Sequence, residues 1–144
     1  MEQRCLEVAG VFAWEVTFTA PEVVWGQVPG PLRPRYHWLN VPAASAVGDW
    51  DNPLTHIAAV AKPEDYVLFK LDIDNNDVEE AIVEGLLASP HLLSLIDEMV
   101  WEHHVWFKPM AGVWGLTDWS KPMNHSLSLF SALRRAGVRI HSWT

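Results

Sequence analysis

The sequence predicts an α/β fold with a mostly parallel sheet. Three observations carry that expectation. The run Tyr66 to Ile73 is almost continuously apolar, as strands of parallel sheets buried on both faces are. Directly after it, Val78, Ile82 and Leu86 recur at a spacing of four, the period of one helix face. Strand-like and helix-like segments then alternate to the end of the chain, the pattern of βαβ units. At 144 residues, 49% apolar and 19% charged, the chain has material for one domain with a buried core and is too apolar for a disordered segment.

Taken in order, Val11 to Val16 reads as the first strand. Pro21 to Pro34 holds four prolines and two glycines and reads as a long loop. Tyr36 to Val41, bounded by Pro34 and Pro42, is the second strand. Asn52 to Ala61 suits a helix with Pro53 at its first position, where a missing N–H costs nothing. Tyr66 to Ile73 is the third strand. In the helix after it, Asn76 with Glu79 and Asp77 with Glu80 have capping-box spacing, and Glu79, Glu80 and Glu84 read as its wet face. Pro90 stops that helix, and His91 to Ile96 adds a short one. Glu98 to His103 is the fourth strand. Trp106, Trp114 and Trp119 fall in a loop-like stretch with Pro109, Gly112, Gly115 and Pro122, suited to a lid. Leu127, Phe130 and Leu133 mark a helix that Gly137 would cap, and Val138 to Trp143 is a fifth strand. The nine Trp residues are spread along the chain and read mainly as core and rim packing.

Charge narrows the function. The net charge of −8 argues against nucleic acid or an anionic membrane as the main partner. No apolar run approaches the roughly 18–20 residues of a membrane-spanning helix, and the first residues lack a signal-peptide pattern. The single Cys5 forms no disulfide within the chain and fits a reducing, intracellular setting. Phosphate loops, dinucleotide fingerprints, nucleophile elbows and zinc-protease helices have no counterpart here.

In open α/β sheets ligands bind beyond the carboxyl ends of the strands. Glu15, Asn40, the pair Asp72 and Asp74, and the run Glu102-His103-His104 stand at those ends and are expected along one edge. Asp72-Ile73-Asp74 can hold a hard cation through oxygen, raise one carboxyl's pKa through the other, or serve the helix start with Asn75, Asn76 and Asp77. Adjacent strand residues face opposite ways, so Glu102 and His104 share a side while His103 takes the other. No metal ligand set is assigned. Glu15 is placed as early-strand acids that hold ribose hydroxyls are. His37, His56 and His91 read as structural or exposed.

The run Tyr66 to Glu80 resembles the fourth strand and following helix of FkbM-like methyltransferases, with Lys70 and Asp72 matching, Asp74 where the family has Glu and Asn75 where it has Gly. Asp97 to His104 resembles the fifth strand with its Glu-x-His end. Ser126 to Trp143 resembles the last helix and strand, Val11 to Glu15 the second strand, and Tyr36 to Val41 the third. The chain is also similar to a group of algal and protist proteins with the same Leu-Asp-Ile-Asp and Glu-His-His patterns. The resemblance implies a Rossmann-like methyltransferase-type sheet, S-adenosylmethionine as cofactor, and methyl transfer to an oxygen of a small molecule or sugar. It implies Glu15, Asn40, Asp72 and Asp74 at the cofactor, and Asp72, Glu102 and His104 in the chemistry. The family's first strand and glycine-rich loop are absent, since only Met1 to Gly10 precedes Val11. Residues 1–144 are thus expected to form a single methyltransferase-like domain lacking its N-terminal strand. Its second and fourth strands then either pair directly or leave an open edge through which copies self-associate. Two other readings stand beside this one: a D-x-D sugar-nucleotide transferase using Mg²⁺ or Mn²⁺, and a non-catalytic partner-binding remnant.

Overall fold

The computed structural model of the protein describes residues 7–110 and 118–143. It is a mixed α/β structure in which every strand pairing among the described residues is parallel. The chain divides into two compact units, Met1–Ala43 and Ala44–Thr144.

In the first unit β1 (Val11–Trp14) pairs with β2 (Tyr36–Leu39), Val11 facing Tyr36 and Trp14 facing Leu39. The Phe12 and His37 rings stack 4.5 Å apart across this pair. The segment expected as a long loop instead forms α1 (Pro21–Gln27) and a 3-10 turn (Gly30–Arg35). Pro21 and Pro31 stand at helix starts, where φ is already right and no N–H is needed, and Pro34 lies inside the 3-10 turn. Arg33 then closes the end of α1, donating to the carbonyls of Trp25 (2.6 Å) and Val28 (3.2 Å).

The second unit is built on a three-stranded sheet in the order β3-β4-β7: Leu68–Leu71, Glu98–Trp101 and Arg139–Ser142. Leu71 is level with Trp101, and Trp101 with Ser142. Among the described residues four α-helices accompany it: α2 (Pro53–Val60), α3 (Asn76–Leu87), α4 (Pro90–Leu95) and α5 (Met123–Arg135). A two-residue β5 (Val105–Trp106) pairs with β6 (Asp118–Pro122). Trp106 and Trp119 thus belong to strands rather than a lid loop, and Trp114 lies outside the described residues, as does Cys5.

The core gathers Phe69 and Leu71 of β3, Met99 and Trp101 of β4 and Ile140 of β7 against Ile82, Val83 and Leu86 of α3 and Phe130 and Leu133 of α5. Burial in β3 alternates, with Leu68 and Lys70 exposed between buried neighbours, so this strand is covered on one face only. The apolar run misleads because Leu68 lies on the exposed side. β1 and β3 belong to separate sheets and do not pair. Of the described Trp residues only Trp101 is fully buried, while Trp50 and Trp143 are exposed. No helix among the described residues is long and apolar enough to cross a membrane.

Local chemistry sets the helix ends. Asn52, fully buried, accepts from Leu54 N–H (2.8 Å) and donates to the Ala44 and Ser45 carbonyls, so one amide caps α2 and braces the loop before it. Asn75 caps α3 and Ser89 caps α4. After α5, Gly137 takes φ +100°, which lets Val138 N–H reach the Leu133 carbonyl and Gly137 N–H the Arg134 carbonyl. Gly137→Ala is expected to cost about 1 kcal/mol in urea unfolding, since a Cβ disfavours that backbone region.

Candidate functional site

The carboxyl ends of β3 and β4 converge on the opening turn of α3. Past β3 the chain bends at Asp74, whose φ of 59° is unusual for a residue other than glycine. The turn is held from below by Glu79. Its side chain is buried, Oε1 accepts from Ile73 N–H (2.8 Å), and Oε2 accepts from the Trp101 indole N–H (3.0 Å). Burial pushes the Glu79 carboxyl above the usual carboxylate range, against the lowering effect of those two hydrogen bonds. Asn76 donates to the His104 carbonyl at 2.6 Å and ties α3 to the end of β4.

Glu102, His104 and Asp74 form one cluster on this turn. His104 Nε2 lies 3.4 Å from Glu102 Oε1 and His104 Nδ1 lies 3.7 Å from Asp74 Oδ1. Both Glu102 and His104 are largely buried, whereas Asp74 is exposed. Asp72 instead pairs with Lys70 Nζ at 2.5 Å, and that ammonium lies over the Trp143 ring. Among the described residues no group of three or more His, Cys, Asp or Glu is placed to hold a metal ion.

The strand expected over Glu98 to His103 ends at Trp101, and His103, two residues beyond it, takes the side opposite His104. It is buried, and its ring stacks on Trp101 at 4.1 Å, which stacks in turn on Phe130 at 5.4 Å. Its Nε2 meets Glu80 Oε1 at 2.8 Å and its Nδ1 meets the Ser126 hydroxyl at 3.2 Å. Glu80 also meets Lys121 Nζ at 3.1 Å and His125 Nε2 at 3.2 Å. Burial pushes the Glu80 carboxyl up, but its contacts with His103, His125 and Lys121 outweigh that and hold it below the ordinary range. Burial lowers the His103 pKa despite the carboxylate beside it. An open cleft of 590 Å³ runs alongside, lined in part by Glu80, Lys121, Asn124, His125 and Ser128.

Glu79 and Glu80 correct the sequence expectation of a wet helix face. Only Glu84 of the three is exposed. Glu79 lies on the face that follows Ile82 and Leu86 at helical spacing, and this was the available signal for its burial. Lys121, His125 and Ser126 were not legible, because their partners lie at least 23 residues away in sequence.

Glu15 and Asn40 lie in the first unit, beside each other just past the paired ends of β1 and β2. Asn40 donates to the Glu15 and Thr17 carbonyls and accepts from Thr19 N–H, so its amide is engaged in bracing this turn. Glu15 Oε1 accepts from Thr17 N–H at 2.7 Å.

Comparisons with known proteins decide nothing further. No family model, no curated protein and no solved structure matches this chain.

The Glu80 and His103 environments set a pH dependence. A carboxyl held below its unfolded pKa adds stability that is lost as the pH falls through the lowered value. A histidine buried in its neutral form adds stability that is lost as the pH falls below about 6.5. Both run the same way, so the urea midpoint is expected to drop progressively from pH 7 towards pH 4. Glu79 opposes them, because ionising a carboxyl of raised pKa costs stability as the pH rises. Glu80→Gln is expected to lower stability at pH 7 by about 2–3 kcal/mol and to flatten the acid limb of that profile. An unchanged profile would remove Glu80 as its source.

Proposed function

We propose that this chain is a methyltransferase-like α/β domain with a Rossmann-like sheet. In this reading it uses S-adenosylmethionine to methylate an oxygen of a small molecule or sugar. The observation that carries the reading is the Glu102–His104–Asp74 cluster at the carboxyl edge of β3 and β4. Support for the finer fold comes from the β3-α3-α4-β4-α5-β7 succession, interrupted by the β5–β6 pair, with its parallel pairings.

O-methylation needs a hydroxyl proton removed as the new bond forms. His104 is the base in this reading. Glu102 and Asp74 flank its ring, at 3.4 and 3.7 Å. Glu102 and Asp74 then stabilise the imidazolium that results.

The cofactor supplies a methyl group on a positively charged sulfonium. The acidic strand ends suit that charge: Asp72 and Asp74 follow β3, and Glu102 follows β4.

Calorimetric titration of the full chain with S-adenosylhomocysteine tests this reading. Binding without added metal is expected, with Asp72→Asn weakening it about tenfold, the equivalent of one charge-assisted hydrogen bond. Absence of binding by a folded chain overturns the methyltransferase reading. Binding of uridine diphosphate only with Mn²⁺ or Mg²⁺ would replace it with the D-x-D transferase.

A further inference from the structure

The second cluster on β4 has a chemistry of its own. Ser126, His103 and Glu80 come from α5, the end of β4 and α3, and they stand in one hydrogen-bonded line. The line has a direction. Glu80 is held in its ionised form by His103, His125 and Lys121, so it accepts a hydrogen bond and does not donate one. His103 Nε2 must therefore carry the N–H that meets Glu80 Oε1. Burial keeps the ring neutral, which leaves a lone pair on Nδ1. The Ser126 hydroxyl donates to that lone pair. The result is a hydroxyl aimed at a neutral imidazole that a carboxylate holds in one tautomer, the arrangement that activates a serine nucleophile.

The surroundings fix the ring. Trp101 stacks on His103 at 4.1 Å with an interplanar angle of 11°, and the same indole stacks on Phe130 at 5.4 Å. The carboxylate is anchored independently by Lys121 and His125, so Glu80 does not need His103 to stay in place. Ser126 keeps 7% exposure, and its helical neighbours Asn124, His125 and Ser128 line the open cleft together with Glu80. The opening turn of α5 has no side-chain cap.

We propose that Ser126, His103 and Glu80 form an acyl-transfer centre that cleaves small carboxylic esters entering the cleft beside α5. Ser126 Oγ bonds to the acyl carbon while its proton passes to His103 Nδ1. The imidazolium, held by Glu80, returns that proton to the alkoxide as the ester C–O bond breaks. Water then attacks the acyl-serine, giving its proton to His103, and Ser126 recovers a proton as the carboxylic acid leaves. No metal, oxidant or reductant enters this balance. The centre is separate from the Glu102–His104–Asp74 cluster, so its test does not depend on S-adenosylhomocysteine binding.

The test is covalent labelling of the full folded chain with a fluorophosphonate probe, followed by peptide mass spectrometry, with p-nitrophenyl acetate turnover in parallel. The expected result is phosphonylation at Ser126 that disappears when the chain is unfolded in urea before labelling. Ser126→Ala should abolish label and turnover, while Ser94→Ala, at an exposed position on α4, keeps both. Glu80→Gln should slow labelling by about tenfold or more through loss of the tautomer. A folded wild-type chain that takes no label at Ser126, or takes it equally when unfolded, overturns the proposal, and this outcome needs no variant to fold. Ester turnover that survives in Ser126→Ala also overturns it.

Discussion

The buried carboxyl of Glu79 connects what lies below the sheet edge to what lies on it. One oxygen holds the backbone of the turn after β3, and the other holds the indole at the end of β4. Trp101 is itself a fully buried core residue, stacked on both His103 and Phe130. A single acidic side chain thus fixes the distance between two strand ends and the plane of the ring that packs beneath them. A carboxyl without a cation beside it is costly to bury, and here its two oxygens are each met by a donor. Removing either donor would leave a buried acceptor without its partner, so turn, strand and ring stand or fall together.

Its neighbour Glu80 is treated in the opposite way. One residue further round α3, the same side chain type meets His103, His125 and Lys121 and is held ionised. Burial without a cation raises one pKa; burial with three basic groups lowers the other. Two consecutive glutamates therefore serve different ends. Glu79 organises the turn that carries Asp72 and Asp74, and Glu80 joins α3 to β4, β6 and α5.

Much of the fold was legible in the sequence because it rests on local patterns. The helix after β3 follows the Val78, Ile82, Leu86 spacing, and Pro53, Pro90 and Gly137 mark ends that the structure keeps. The stretch Pro21 to Pro34 was misread because proline density was taken as loop, whereas proline at a first helical position favours a helix. At the site, the strand-end rule brought out Glu102, His104 and Asp74, which do meet. It did not bring out Glu80, Lys121, His125 and Ser126, since their meeting depends on α3, β6 and α5 packing side by side. Tertiary packing also overrode the expectation that a run of acids on a helix is solvated, as Glu79 shows.

His103 and His104 stand next to each other at the end of one strand, yet one faces Ser126 and Glu80 while the other faces Glu102 and Asp74. Their separation rests on parity. Within this stretch, odd positions such as Trp101 and His103 belong to the interior, and even positions such as Glu102 and His104 to the rim. Insertion or deletion of one residue between Trp101 and His103 would exchange the two imidazoles while leaving the composition almost untouched. A change of length by one residue would therefore scramble this stretch, and two chemically identical side chains are kept distinct by counting alone.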